Sequence, residues 1–268
     1  QETLTYKLPD NWGKPDEETI GLIVDAPLRK GKTRGVILNL HHNKPTYNTK
    51  EILGIAEDAP HLSATQLHML KFISEYYLCP LYKTIKLFLP SNFLSRKGKK
   101  RAEKPTVSDD FKELFQGHEL TPEQIGALES IEKSKKNVAV LHGVTGSGKT
   151  EIYRRLTAEK IKAGKQILIL VPEISLTPQT VDQFEKQFGK NIAIIHSQLT
   201  PKQKETYWLK IYKEELKIVV GSRSALFAPF QKLDLIIIDE EHEDSYKQDQ
   251  APRYHARTVA ENLVNKFN

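Results

Sequence analysis

The sequence predicts an α/β protein in which a parallel sheet with a phosphate-binding loop follows a small, β-rich α+β domain. From about Leu120 onward, apolar strands alternate with helical stretches, which is the pattern of a parallel sheet covered on both faces. A glycine-rich loop in this region joins an apolar run to a helical stretch. From Leu4 to Pro90 the pattern is one of short strands and turns, followed by one helix. We therefore predict a first domain at residues 1–95, a linker at 96–115 and a second domain at 116–268.

Length and composition limit the class of protein. The chain has 268 residues, 28% of them charged, a net charge of +6 and a mean hydropathy of −0.50, which is typical of a globular protein with room for two domains. No apolar run approaches the roughly 18 residues that a membrane span needs, so we expect a cytoplasmic protein with no membrane partner. The excess of positive charge favours a polyanionic partner.

The sulfur-containing residues carry further information. Cys79 is the sole cysteine, which excludes an internal disulfide and a cysteine-based zinc site within this chain. Gln1 opens the chain and Met69 is its only methionine, so we interpret the sequence as a fragment of a longer protein.

The first domain shows a hairpin pattern followed by a helix. Thr19–Val24 and Arg34–Leu40 have the composition of strands on either side of the basic turn Arg29–Thr33. Ser63–Tyr76 has helical apolar periodicity, and its first residue is a suitable N-cap. The stretch from Ser95 to Pro105 is polar and basic, and two interpretations remain open: a solvated tether, or a patch that contacts DNA phosphates.

In the second domain the apolar pattern predicts five strands and four helices. The strands are expected near residues 138–142, 166–171, 191–196, 216–220 and 233–239, and the helices at about 122–134, 149–163, 177–188 and 201–214. The carboxyl ends of parallel strands meet at one edge of their sheet, where ligands of such folds bind. We therefore expect the polar residues that follow these strands to form one site.

The loop Gly143–Thr150 has the G-x-x-x-x-G-K-[ST] spacing of a P-loop and lies between a predicted strand and a predicted helix. Glycines allow backbone N–H groups and the positive end of the helix to face phosphate oxygens. Lys149 is expected to reach the outer phosphates of ATP, and the Thr150 hydroxyl to bind Mg²⁺. The predicted nucleotide-binding residues of this loop are Gly143, Val144, Thr145, Gly146, Ser147, Gly148, Lys149 and Thr150.

An apolar strand that ends in acids, Leu235–His242, is expected to complete this site. Parallel packing would place Asp239 at the carboxyl edge of the sheet beside the P-loop, as a second Mg²⁺ ligand. Glu240 is then placed to polarise a water for attack on the γ-phosphate, a reaction that needs positioning and charge compensation. Lys149, Asp239 and Glu240 are therefore the predicted catalytic residues of an ATP hydrolase.

Six stretches of the second domain together carry a resemblance to a known family, namely Gly143–Glu151, Val171–Gln179, His196–Thr200, Val220–Phe230, Asp239–His242, and Ser245–Gln248 with Pro252–Arg257. They resemble the first motor lobe of superfamily 2 DNA helicases, and more narrowly the PriA family, which restarts stalled bacterial replication forks. The resemblance implies a RecA-like lobe that uses ATP and Mg²⁺. It also implies 3′-to-5′ unwinding of DNA at branched forks and the initiation of replication restart through primosome assembly.

The resemblance assigns roles to individual residues. Gln124 matches the glutamine that reads adenine, although as bare sequence it is also a common residue at a helix start. Arg223 and Ser224 match a loop that grips the backbone of single-stranded DNA. His242 matches the last residue of the DEEH box, which relays the nucleotide state to neighbouring motifs.

The segment Tyr246–Arg257 resembles the family's aromatic-rich loop, which senses single-stranded DNA and gates hydrolysis. Tyrosines stack on any base while lysine and arginine neutralise phosphates, which suits binding without sequence preference, although an ordinary surface loop remains the other interpretation. In the first domain, Lys50 matches a lysine in the family's pocket for a 3′ strand end. The predicted DNA-binding residues are Arg223, Ser224, Tyr246, Lys247, Arg253, Tyr254, Arg257 and Lys50.

The resemblance also implies parts that this sequence lacks. Residues 96–115 leave no room for the winged-helix domain that the family usually carries there, and the second motor lobe, its arginine finger and the family's zinc-binding cysteines are not in the sequence. We therefore expect weak nucleotide binding and little unwinding by this chain alone. The expected partners are forked and single-stranded DNA, replication-restart proteins and single-strand binding protein.

Two other functions are compatible with the sequence. The main alternative is a non-catalytic module that binds forked DNA without turnover, which DNA-stimulated hydrolysis would exclude. The other is a small-molecule kinase with a P-loop, which a salt-dependent, sequence-independent affinity for forked DNA would oppose.

Overall fold

A computed structural model of the chain describes residues 3–43, 45–57, 59–94, 119–144, 146–188 and 192–267. These residues form two compact units. The first consists mainly of residues up to 94 and the second mainly of residues from 119 onward, while residues 200–209 and 250–252 group with the first. The linker predicted at 96–115 and the P-loop residue Thr145 lie outside the described residues. The domain boundaries 1–95, 96–115 and 116–268 stay a prediction.

The first unit contains a small antiparallel sheet. Strand β1 (Ile23–Leu28) pairs with β2 (Gly31–Val36) on one side and with β3 (Gly54–Ile55) on the other. Val24, Ile37 and Ile52 form its buried core. Partly buried side chains pack against this core, namely Tyr6, Leu8, Trp12, Leu22 and Leu40. Three helices follow, namely α1 (Ala64–Tyr76), α2 (Leu81–Phe88) and α3 (Ser91–Leu94).

The hairpin between β1 and β2 corrects the predicted positions of the two strands and their turn. Leu28 pairs with Gly31, so the turn consists of Arg29 and Lys30 alone, and the strands lie about four residues away from the predicted positions. Arg29 adopts the left-handed φ of 52° that this tight reversal uses. The predicted basic turn is mostly strand because β2 is an edge strand, where charged side chains remain in water.

Helix α1 begins as the sequence predicts. The Ser63 side chain accepts a hydrogen bond from the Gln66 N–H, and the Gln66 side chain accepts one from the Ser63 N–H. This reciprocal pair satisfies two donors that a helix start otherwise leaves unpaired. Met69, Leu70 and Ile73 then bury one face of the helix. The short strand β3 and the helices α2 and α3 were not among the predicted elements.

The second unit is built on a four-stranded parallel sheet, and the predicted α/β fold class is confirmed. Its strands are β4 (Gln166–Leu170), β5 (Ile192–Ile195), β6 (Ile218–Gly221) and β7 (Leu233–Ile238), in the order β5-β6-β4-β7. Its helices are α4 (Pro122–Lys133), α5 (Lys149–Lys162), α6 (Pro178–Phe188) and α8 (Ala256–Phe267). Helix α7 (Pro201–Tyr212) groups with the first unit up to residue 209 and with the second unit from residue 210. All five residues of β4 are buried because this strand has neighbours in the sheet on both sides.

The predicted strand at residues 138–142 is wrong. This apolar run carries no sheet pairing, and Val138 and Val140 are 56% and 91% exposed. An extended run becomes a strand only where a neighbour supplies hydrogen bonds, and within the described residues β7 pairs with β4 alone. The predicted set also omitted helix α8. Across the described residues, every helix is too short or too polar to cross a membrane.

Candidate nucleotide site and the segment beside it

The P-loop lies directly before helix α5 and requires glycine at several positions. Gly146 and Gly148 have φ values of 81° and 79°, a region that residues with a Cβ rarely adopt. A Cβ on Gly143 would lie 2.6 Å from Ser147 Oγ, so the loop closes tightly on itself. Gly148 caps α5, whose first N–H groups therefore border the loop. This backbone is suited to surround a phosphate group.

Lys149 reaches back across the loop. Its Nζ donates hydrogen bonds to the carbonyl oxygens of Gly143 at 2.7 Å and Val144 at 3.3 Å. The ammonium group is therefore held over the loop, where it can meet a negatively charged ligand. Thr150 follows in the first turn of α5 and is exposed. A cradle that glycines keep open and a lysine placed across it fit the phosphates of ATP.

Gln124 joins helix α4 to the P-loop. Its Oε1 accepts a hydrogen bond from the Thr121 N–H at 3.0 Å, and its Nε2 donates to the Ser147 carbonyl at 3.1 Å. A Cβ on Gly148 would lie 2.2 Å from that same Nε2. The structure thus places Gln124 at the phosphate loop, with both ends of its amide bonded within the protein. Its role in reading adenine stays a prediction.

Asp239 follows β7 at the carboxyl edge of the sheet, where the sequence places it. Its N–H donates to the Leu170 carbonyl at 2.9 Å, and its Oδ1 accepts a hydrogen bond from the Tyr153 hydroxyl at 3.2 Å. Burial raises the pKa of the Asp239 carboxyl, and the charge of Glu240 adds to the increase, whereas the bond from Tyr153 and the positive charge of Lys149 oppose it. The bond from Tyr153 joins Asp239 to helix α5, which begins with the P-loop lysine.

The residues for Mg²⁺ binding fit the chemistry of that ion. A carboxylate at Asp239 and a hydroxyl at Thr150 are the hard oxygen ligands that Mg²⁺ prefers, and nucleotide phosphates usually complete its shell. Both side chains belong to the second unit, one after β7 and one at the start of α5. Their assignment as ligands stays a prediction.

Glu240 has an unusual backbone conformation. Its φ of 46° lies in the left-handed region, which is uncommon for a residue with a long side chain. The exposed side chain brings its Oε2 to 3.8 Å from Nε2 of His242. Backbone strain of this kind is concentrated at functional sites.

Two tyrosines that the sequence analysis did not assign to the nucleotide site contact Asp239. Tyr153 on α5 reaches its carboxylate, and Tyr246 donates a hydrogen bond to its main-chain carbonyl. Burial raises the pKa of both phenols. The spacing could have indicated Tyr153, because a residue four positions after Lys149 lies on the same face of a helix. No sequence pattern indicates the contact of Tyr246.

The predicted base-stacking tyrosines form part of the core instead. Tyr246 and Tyr254 are only 1% and 2% exposed, so neither ring can stack on a base in this conformation. Tyr254 packs edge-on against Phe227, with the ring centroids 4.9 Å apart. The two rings are buried because removing the large apolar surface of an aromatic side chain from water is favourable, and an exposed loop position would leave that surface in water.

Arg223 also has partners within the protein. Its Nε donates to Oε1 of Gln248 at 2.6 Å, and its Nη1 donates to the carbonyl of Ser245. The guanidinium is therefore half-buried and ties the loop after β6 to the segment that follows β7. Ser224, the next residue, is exposed.

Three cations of the segment remain on the surface. Lys247 donates to the Arg253 carbonyl at 2.7 Å, Arg253 donates through Nε to the Asp249 carbonyl at 3.0 Å, and Arg257 pairs with Glu241. All three are exposed, as a contact with a DNA backbone would require. In the first unit Lys50 is likewise exposed, and its Nζ donates to the Arg29 carbonyl at 3.2 Å.

Comparison with known families identifies the second unit. A family model described as DEAD/DEAH box helicase matches residues 121–265. The chain belongs to the DEAD/DEAH box helicase family. A second model, described as 3′DNA-binding domain (3′BD), matches residues 1–90. The two matches together cover both units, and the P-loop and Asp239 lie inside the helicase match.

Several curated relatives carry the name replication restart protein PriA, and the predicted resemblance to PriA is confirmed. The protein from Helicobacter pylori (strain J99) is 38% identical over 248 residues, which is 92% of this chain and 37% of that relative. The protein from Rickettsia prowazekii is 39% identical over 91% of this chain and 37% of the relative. The protein from Bacillus subtilis is 52% identical over 145 residues, 53% of this chain and 18% of the relative. This helicase-family chain thus spans well under half the length of these relatives.

Proposed function

We propose that the chain is part of an ATP-dependent 3′-to-5′ DNA helicase that recognises branched or stalled replication forks and initiates replication restart. The observation that carries the proposal is the hydrogen bond from Tyr153, on the helix that the P-loop opens, to the acid Asp239, within one helicase-family unit. The match of residues 1–90 to a 3′DNA-binding domain supports a DNA substrate. The name of the relatives, replication restart protein PriA, supports the role in replication restart.

In this proposal the nucleotide site works through positioning and charge. Lys149 binds the outer phosphates, and Thr150 and Asp239 hold Mg²⁺, which supplies positive charge to the phosphates when bound. Glu240 orients a water toward the γ-phosphate, and Gln124 reads the adenine edge. His242 lies beside Glu240 and is placed to report on the position of its carboxylate.

The proposed DNA contacts are electrostatic and independent of base sequence. Ser224 and the exposed cations Lys247, Arg253 and Arg257 contact phosphates, while Arg223 holds the segment in place from within. Lys50 contributes a phosphate contact in the 3′ DNA-binding domain. Because such contacts release counterions, the affinity for DNA should fall steeply with salt concentration.

The proposed partners and location follow from this role. Forked and single-stranded DNA are the substrates, and replication-restart proteins and single-strand binding protein are the protein partners. We place the protein in the cytoplasm, where bacterial replication forks are found.

The test is ATP hydrolysis by the chain with and without forked DNA. The native chain is compared with Glu240→Gln, with Glu243→Gln as a control that removes a nearby exposed carboxylate, and with a version extended through any downstream coding sequence. We expect DNA-stimulated turnover in the extended version, loss of that turnover in Glu240→Gln and no loss in Glu243→Gln. Fork binding without turnover in every version would favour the non-catalytic module.

A further inference from the structure

Tyr153 connects the helix of the P-loop to the acid at the end of β7. It lies one helical turn after Lys149, and its ring packs against the core cluster of the parallel sheet. From this anchored ring, the hydroxyl donates a 3.2 Å hydrogen bond to Oδ1 of Asp239. A phenylalanine ring would pack against this core equally well. The hydroxyl of Tyr153 therefore makes a contact that apolar packing does not require.

The main chain of Asp239 is fixed separately from its side chain. Its N–H is bonded to the Leu170 carbonyl, and its carbonyl accepts the hydroxyl of Tyr246. These bonds hold the backbone but leave rotation about the side-chain torsions. Among the residues that the structure describes, Tyr153 is the side chain within hydrogen-bond distance of the carboxylate. It therefore limits the orientation of a group whose direction matters for metal binding.

We propose that Tyr153 is a positioning residue for the Mg²⁺ site, which orients the Asp239 carboxylate through its hydroxyl. The inference deepens the proposed function and rests on it. Carboxylates that bind metals are commonly held by a further hydrogen bond, and removal of that partner typically lowers metal affinity about 10- to 100-fold. An oriented carboxylate loses less side-chain freedom when the ion binds.

The test measures Mg²⁺ dependence of nucleotide binding rather than turnover. The fluorescence of a methylanthraniloyl-labelled ADP is titrated with the native chain and with Tyr153→Phe, first in EDTA and then at increasing Mg²⁺ concentration. We expect Tyr153→Phe to need about tenfold more Mg²⁺ for half-maximal enhancement of binding. Its affinity in EDTA should match that of the native chain, because the P-loop contacts are unchanged. Tyr212→Phe, a half-buried tyrosine of the same unit on α7, should behave as the native chain in both conditions.

A double variant separates positioning from general damage. In an Asp239→Asn background, Tyr153→Phe should add no further change in Mg²⁺ dependence, because the two residues act through one contact. An equal loss of affinity in EDTA and in Mg²⁺ would mean structural damage, and an unchanged Mg²⁺ midpoint would mean no positioning; either result overturns the inference. If the native chain and its extended version bind no nucleotide at all, the proposed function fails, and the inference falls with it.

Discussion

The hydroxyl of Tyr246 donates a 2.6 Å hydrogen bond to the main-chain carbonyl of Asp239. Tyr246 opens the segment that carries the exposed cations Lys247, Arg253 and Arg257. Its buried ring thus ties this segment to the carboxyl end of β7, where the proposed metal ligand lies. A displacement of the segment would be transmitted to Asp239 through one bond.

Replacement of Tyr246 by phenylalanine should destabilise the chain by about 1–2 kcal/mol, because the Asp239 carbonyl loses its donor in a buried setting. Urea-induced unfolding, followed by circular dichroism, measures the change. Tyr82→Phe is the matched control, since its side chain is 56% exposed and its loss of a hydroxyl should have little effect. Equal stabilities of the two variants would show that the bond to Asp239 contributes nothing.

Two glycine-to-alanine substitutions should act in opposite directions. Gly148→Ala places a Cβ at a left-handed residue and against Nε2 of Gln124, so we expect a loss of about 1–2 kcal/mol and weaker nucleotide binding. Gly126→Ala lies inside helix α4, with nothing within 4 Å of the added Cβ, and should gain about 0.5–1 kcal/mol. Thermal unfolding of both variants checks the signs. A stabilised Gly148→Ala would contradict the strained geometry of the P-loop.

The left-handed conformation of Glu240 should make its replacement by glycine stabilising. Glycine adopts a φ of 46° without the cost of about 1 kcal/mol that a side chain incurs, although its greater freedom in the unfolded chain offsets part of the gain. We expect the free energy of unfolding of Glu240→Gly to exceed that of Glu240→Gln by about 0.5 kcal/mol, because glutamine keeps a side chain at the left-handed φ. Both variants should lack DNA-stimulated hydrolysis. Identical stability of the two in urea would argue against strain at this position.

The raised pKa of Asp239 predicts that its ionised carboxylate lowers the stability of the folded chain at neutral pH. Because burial raises this pKa above its ordinary value of 3.8, the folded chain keeps the proton to a higher pH than the unfolded chain does. Stability therefore falls as pH rises from that ordinary value through the raised one. In EDTA and without nucleotide, Asp239→Asn should exceed the native chain in stability at pH 7, and the difference should vanish as the pH falls below 3.8.

Urea unfolding at a series of pH values measures the effect. Asp182→Asn, which removes an exposed carboxylate from α6, controls for the change in net charge. A native chain that is more stable than Asp239→Asn at pH 7 would reverse the sign of the prediction.

The second unit was largely predictable from its sequence because its signals are local and strong. A P-loop needs glycines and a helix start at fixed spacing, and the apolar run before Asp239 is long enough to be a strand. Four predicted strands and four predicted helices lie within two residues of their observed ends.

The wrong predictions concern segments whose structure or exposure depends on their neighbours in the folded chain. Arg29, Lys30 and Lys32 indicate a basic turn, but an edge strand also keeps a side chain such as that of Lys32 in water. The run at residues 138–142 has the composition of a strand and no partner in the described sheet. The segment that contains Tyr246 and Tyr254 has the composition of a base-stacking loop. Both tyrosines are buried because Tyr254 packs against Phe227 and Tyr246 bonds to the main chain of Asp239, contacts that the sequence does not indicate.

The exposed valines at residues 138 and 140 have a practical consequence. Within the described part of the chain, this apolar run has no strand beside it, and exposed apolar backbone of that kind can pair with a second molecule, as edge strands do. Solutions of this chain should therefore show association that grows with protein concentration and that added salt does not suppress. Replacing either valine with lysine should keep the material monodisperse to higher concentration.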